Sequence, residues 1–180
     1  VLNFIEGDRW KLLVSGLGVT LKITLIAIVL GIVIGVILAT IRSTYDLTKD
    51  DGRGGFGRVL LKIFNVIAKI YLTIIRGTPV VIQLLIIYFV IFASSDNGVL
   101  IAALAFGMNS GAYVAEIIRA GIMSIDRGQM EAGRSLGFNY IETMRYIIIP
   151  QAFKNVLPSL ANEFIALLKE TSVAGYAAIQ

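Results

Sequence analysis

Hydrophobic positions in this chain fall into long runs separated by short polar stretches. Residues 25–41 carry no charge, and with residues 19–24 they exceed the roughly 20 residues needed to cross about 30 Å of hydrocarbon. Apolar patterning predicts membrane spans at about 15–41, 80–92, 99–122 and 153–178, the last interrupted by Lys169-Glu170-Thr171-Ser172. Gly31 and Gly35, four apart, let a second helix approach the first span closely. Between 59 and 75 the pattern changes: Arg58, Lys62, Asn65, Lys69 and Arg76 recur at helical spacing on an otherwise apolar helix. That stripe suits the membrane surface or an oblique passage, with the basic side chains snorkelling to headgroups. Arg76-Gly77-Thr78-Pro79 breaks the helix, and Thr78 as N-cap with Pro79 at the first helical position is expected to restart it.

Residues 42–58, RSTYDLTKDDGRGGFGR, are polar and glycine-rich and read as an exposed loop. Gly52, Gly54 and Gly57 imitate a dinucleotide fingerprint and the start of a P-loop. Neither lies between a strand and a helix, and Arg58-Val59 stands where Lys-Ser/Thr is required. Basic residues set the orientation: Arg42, Lys49, Arg53, Arg58 and Lys62 lie on one side with Arg119, Arg127, Arg134, Arg145 and Lys154, whereas the 94–98 turn has none. Both polar loops are therefore expected in the cytoplasm and the amino terminus outside.

Composition sharpens the class. Of 180 residues 57% are hydrophobic and mean hydropathy is +0.82, above the roughly 45–50% apolar content of soluble domains. An all-α integral membrane bundle is expected. The absence of Cys and His removes disulfides, thiol nucleophiles, His metal sites and the commonest general base. No catalytic or metal-binding residues are assigned, and the net charge of +4 belongs to membrane loops rather than to a nucleic-acid surface. The opening residues VLNFIEGDRW do not read as a signal peptide, and the missing initiator Met points to a trimmed start.

Residues 126–150 then face the cytoplasm between the third and fourth spans. Residues 129–136 favour a short helix, Gly137 suits the left-handed residue that ends it, and Asn139 caps a second helix running to Ile149. Two short helices meeting at a glycine corner are suited to contact a soluble partner; an ordinary interfacial loop is the plainer alternative.

Glu131-Ala132-Gly133, then Gly137, then Ile149-Pro150 closely resembles the EAA loop of membrane subunits of ATP-binding cassette importers. Gly133 replaces the usual Ala, and Ile148 and Ile149 precede Pro150 where Leu is usual. Arg76-Gly77-Thr78-Pro79, the stretch Ala112–Arg119 with Gly121, and residues 168–172 resemble the polar amino acid branch of that family. The resemblance implies a single permease domain over 1–180 with a coupling loop at about 123–150, whose Glu131, Ala132, Gly133, Gly137 and Pro150 meet an ATPase subunit. It implies no cofactor on this chain, since ATP and Mg belong to the ATPase partner. Other implied partners are a second permease subunit, identical or related, and an extracytoplasmic substrate-binding protein or a domain fused before Val1. The setting is the bacterial inner membrane and its lipid. Five spans are usual, so a fifth is expected beyond Gln180.

Ionisable residues within a membrane are costly and are candidates for function. Asn109, Tyr113 and Glu116 are spaced to share one face of the third span. Glu163 lies in the fourth, with Asn162 beside it. Each acid is about 9–12 Å from the cytoplasmic end at ~1.5 Å per residue, so the two are expected to face one cavity and hold a cationic group of an amino acid. The alternative is that Glu116 pairs with Arg119 and Glu163 stabilises a helix contact. Lys169 is expected near the outer face, in gating or in a first encounter with a carboxylate rather than in the deep site. Competing functions are an ion-gradient-driven carrier or channel for small polar solutes, which predicts internal repeats that are not evident, and a membrane anchor or sensor, which leaves the two acids without purpose. An enzyme lacks a convincing motif.

Overall fold

In the computed structural model, residues 9–49, 55–94 and 97–172 are described; Gly52 and Gly54 of the P-loop imitation, the first eight residues and the far end of the expected fourth span, 173–178, lie outside them. Helix α1 (Arg9–Thr48) is 40 residues long, about 60 Å, and overruns the expected span at both ends. It runs parallel to α4 (Gly98–Met123), and the two interlock through small residues. A Cβ at Gly31 would stand 3.0 Å from Ser110 Oγ, and one at Gly35 would collide with Val114. Reciprocally, a Cβ at Gly107 would lie 2.9 Å from Leu30 Cβ, and one at Gly111 2.8 Å from Ile34 Cγ2. Glycines at four-residue spacing on both helices thus bring the backbones together, the packing that membrane helices use where hydrocarbon supplies no hydrophobic drive.

Helix α2 (Phe56–Gly77) carries the basic stripe, and α3 (Val80–Ile86) continues as one π turn to Ile91. The two are bent by 105° at the break between them. At some 12 residues, about 18 Å, the α3 segment is too short for the span expected at 80–92; it packs on the N-terminal half of α4 and is long enough to cross only when the bent α2–α3 pair is counted as one. Thr78 is not the cap of α3. Pro79 is itself extended (φ −62°, ψ 136°), so the helix begins at Val80 with Pro79 at the N-cap, and the Thr78 hydroxyl, one residue too early, turns back to Ile74 O at 2.9 Å. Gln83 serves the break instead: its Nε2 donates to Ile75 O (2.6 Å), Thr78 O (2.9 Å) and Thr78 Oγ1 (2.6 Å). Carbonyls freed by a helix break inside a membrane need such donors.

The corner consists of α5 (Arg127–Ser135), α6 (Tyr140–Thr143) and a π turn to Ile148, from which α7 (Ile149–Glu170) proceeds without interruption. The second corner helix therefore does not stop at Ile149. Pro150 is the second residue of α7, directly after the π turn. Helix α7 runs antiparallel to α1 and α4: Val156 and Ala152 fill the space left by Gly121, Leu167 joins Ile23, Ala27 and Phe106 in the core, and Thr171 Oγ1 meets Thr24 Oγ1 at 3.0 Å.

Among the described residues, α1 and α4 are long and apolar enough to cross a membrane, and the bent α2–α3 pair makes a third span if counted as one. Helix α7, the expected fourth, does not qualify on composition over its described length, because Gln151, Lys154, Asn155, Asn162 and Glu163 interrupt its apolar positions. Bulky side chains such as Leu25, Val29, Val36, Ile63 and Ile70 stand exposed along α1 and α2, a surface suited to hydrocarbon rather than water.

Candidate functional site: a polar groove and a helical corner

The corner is built by local chemistry. Asp126 caps α5 by accepting from Gly128 N at 2.6 Å. Gly137 has φ +87°, and Phe138 N donates to Gly133 O (3.0 Å) while Gly137 N donates to Arg134 O (3.0 Å), the bonding of a left-handed helix stop. Asn139 and Glu142 then form a reciprocal capping box: Asn139 Oδ1 accepts from Glu142 N at 3.0 Å, and Glu142 Oε2 accepts from Asn139 N at 2.8 Å. Gly133, where Ala is usual in the resembled loop, has a packing reason. A Cβ there would lie 2.6 Å from Thr143 Cγ2 and 2.8 Å from Thr143 Oγ1, and Thr143 is fully buried.

Glu131, Ala132 and Pro150 are exposed, and Glu131 borders a cavity of about 230 Å³ between α1, α4 and α5 with Asp46, Asp126, Arg127 and Arg134. The corner also presents apolar side chains that spacing did not single out: Leu136 and Ile141 are each 73% exposed and Tyr146 62%, with the Phe138 ring 6.2 Å from that of Tyr146. Apolar side chains at these positions would equally suit burial, so sequence alone could not assign them to a surface.

Within the membrane region the expected residues separate. Glu116 lies in a charged cluster: 3.2 Å from Arg119, which is itself 3.0 Å from Asp46, and 3.7 Å from Arg42. Two cations and two anions balance across α1 and α4. Glu163 is elsewhere, accepting from Ser110 Oγ at 2.9 Å, and Ser110 is six residues or about 9 Å deeper along α4 than Glu116. Glu116 is seven residues from the end of α4 and Glu163 fourteen from the start of α7, about 10 and 21 Å, so the two acids are not at one depth, and Glu163 borders neither groove cavity described below. Asn162 is exposed and lines neither groove cavity described below.

Asn109 and Tyr113 do meet a cavity. One of about 380 Å³ is lined by both, by the turn from Arg76 to Val80 and by Glu170. Asn109 Nδ2 donates to Gln83 Oε1 at 3.1 Å, and the Arg76 guanidinium lies over the Tyr113 ring, 5.3 Å from its centroid. Tyr71 Oη donates to Met108 O at 2.6 Å and fixes α2 against α4 just above. A second cavity of about 670 Å³ shares Arg76 and is bordered by Glu116, Asn155 and Ser159. Together they form a polar groove along the face of α4 that bears Asn109, Tyr113 and Glu116, as the spacing of those three predicts. Sequence reasoning missed Arg76 and Glu170 as members of it, and Gln83 as the buried partner that orients Asn109; Arg76 at a helix break in apolar surroundings was the available signal.

A bundle of apolar helices with a polar groove inside and a capped, exposed corner between two membrane helices defines a class: a helical membrane transport component. The comparisons narrow it. Residues 54–179 match the family described as binding-protein-dependent transport system inner membrane component, and the chain belongs to that family. It is 46% identical over 110 residues to the arginine transport system permease protein ArtQ of Bacillus subtilis (strain 168), 59% of this chain and 50% of that one. It is 42% identical over 115 residues to the glutamine transport system permease protein GlnP of Escherichia coli (strain K12), 62% and 52% of the two chains. The chain thus spans about half the length of the curated relatives it matches. Among solved structures, a crystal structure of an amino acid ABC transporter with histidines aligns at TM-score 0.79 and 39% identity, over 99% of this chain and 78% of that one. The MetNI methionine ABC transporter in an inward-facing form aligns at TM-score 0.75 and 20% identity, a likeness of fold alone.

Proposed function

We propose that this chain is the permease subunit of an ATP-binding cassette importer of polar or basic amino acids. ATP hydrolysis resides in a separate ATPase subunit that binds ATP and Mg and docks on the corner. A second permease subunit completes the pathway, and an extracytoplasmic binding protein or fused domain delivers substrate. The setting is the bacterial inner membrane with the amino terminus outside, a placement supported by the basic residues at the corner end of the helices and the absence of Lys and Arg from the 94–98 turn at the other.

The observation that carries the reading is the corner itself. The motif positions Glu131, Gly133 and Gly137 lie in a capped, locally rigid element that exposes Leu136, Ile141 and Tyr146. Exposed apolar anchors on a rigid knob are what a partner's groove takes up. Because α6 passes through the π turn directly into α7, movement of the corner is delivered to a helix that lines the groove.

Coexpression with the ATPase subunit tests this. Leu136→Asp with Ile141→Asp, and separately Glu131→Lys, are expected to remove the copurifying ATPase while the permease stays in the membrane at its normal level. Normal copurification and normal amino acid uptake in all of them would reject the docking role.

A further inference from the structure

The 380 Å³ cavity holds two opposite charges that do not neutralise one another. Arg76 and Glu170 both line it, yet among the described residues neither forms an ion pair. Elsewhere in the same bundle Arg42, Asp46, Glu116 and Arg119 compensate each other at 3.0 to 3.7 Å. Charges in a membrane are rare and normally paired, so two of opposite sign that line one cavity without pairing suit a ligand carrying both signs.

Each charge is held in place independently. The guanidinium of Arg76 is stacked over Tyr113, 5.3 Å from the ring centroid, which anchors it to α4 and leaves its outer N–H groups available. Glu170 ends α7, where the negative end of the helix dipole disfavours a carboxylate, and Glu163, seven residues back on the same face, adds its own negative charge. A cation beside Glu170 relieves both. Asn109, oriented by its bond to Gln83, adds an uncharged polar group to the same lining.

We infer that this cavity cradles the α-carboxylate and α-ammonium of the transported amino acid, Arg76 binding the first and Glu170 the second. This rests on the amino acid importer reading and adds the recognised chemistry: the zwitterionic backbone common to all α-amino acids, not a basic side chain. The side chain extends past Arg76 into the 670 Å³ cavity, whose Ser159 and Asn155 admit polar groups and whose Glu116 is already neutralised. Planar bidentate recognition of carboxylate is the geometry that a guanidinium provides and an ammonium does not.

The test is equilibrium binding to the intact permease–ATPase complex in detergent without ATP, with an equimolar mixture of the twenty radiolabelled L-amino acids as probe. The amino acid retained by the wild type is then compared with its α-amide and its desamino acid as competitors. Arg76→Gln and Glu170→Gln are each expected to raise Kd by about 10- to 150-fold. Arg76→Gln should also lose the preference for the acid over its amide, and Glu170→Gln the preference for the amine over its desamino analogue, which a merely structural defect would not divide in this way. Arg76→Lys and Glu170→Asp, which keep the charges, should give intermediate affinities and serve if the neutral variants do not fold. Unchanged Kd, or both preferences kept in both neutral variants, would overturn the cradle while leaving the importer reading intact. A wild-type complex that binds and, in vesicles with ATP, moves none of the mixture would overturn the importer reading itself.

Discussion

Replacing Gly133 by Ala restores the residue usual in the resembled loop and, in an isolated helix, would add about 0.5–1 kcal/mol of stability. In this fold the opposite is expected. The new Cβ would stand 2.6 Å from Thr143 Cγ2 and 2.8 Å from Oγ1. Thr143 has no room to yield: it is fully buried, β-branched, and tied by a 2.9 Å bond from Oγ1 to Asn139 O. Overpacking of this kind costs about 1–3 kcal/mol, which against the propensity gain leaves a net loss of up to about 2.5 kcal/mol, about 1–2 in mid-range. At about 2–4 °C per kcal/mol for a protein of this size, the melting temperature in detergent should fall by roughly 2–8 °C. Thr143→Ala removes both clashing atoms, so Gly133→Ala should stabilise in the Thr143→Ala background, and the double-mutant cycle should return a coupling of about 1–3 kcal/mol. A Gly133→Ala variant that is more stable than wild type, with effects additive to Thr143→Ala, would refute the packing argument.

Three further outcomes are expected. Gly35→Leu should separate α1 from α4, because even a Cβ there collides with Val114 and meets Ala115 N at 3.1 Å, and should abolish stable expression, whereas Gly16→Leu, with open space around it, should not. Glu116→Gln should lower thermal stability by about 1.5–3 kcal/mol through loss of charge-assisted bonds to Arg119 and Arg42, yet leave substrate affinity within about threefold; a large affinity loss at unchanged stability would return Glu116 to the binding site. In intact cells a single Cys at Asn97 should react with an impermeant thiol reagent and one at Gly52 should not, and the reverse pattern would invert the topology.

The corner was largely legible beforehand because its determinants are local. A cap reads three residues ahead and a left-handed stop needs one glycine, so Asn139 and Gly137 could be assigned without knowledge of the rest. The close helix approach at Gly31 and Gly35 was legible as a surface seeking a partner, although not that Gly107 and Gly111 supply its counterpart. Thr78 is not the cap because Pro79, expected as the first helical residue, stays extended and takes the N-cap position itself, and Gln83 from the next helix takes over the satisfaction of the break.

Sequence alone therefore determined the elements with short-range causes: the apolar lengths of α1 and α4, the interruption before Pro79, the corner and the family motif in it. Tertiary structure alone decided which charges are spent and which remain. Asp46 reaches Arg119 across 73 positions and Ser110 reaches Glu163 across 53, so the two acids that looked equivalent in the chain have different partners and depths. Arg76 and Glu170, 94 positions apart by their numbers, line one cavity. The reason is physical: the energy of a charge in a membrane depends on what lies within a few ångströms of it, and those neighbours are set by how distant helices cross.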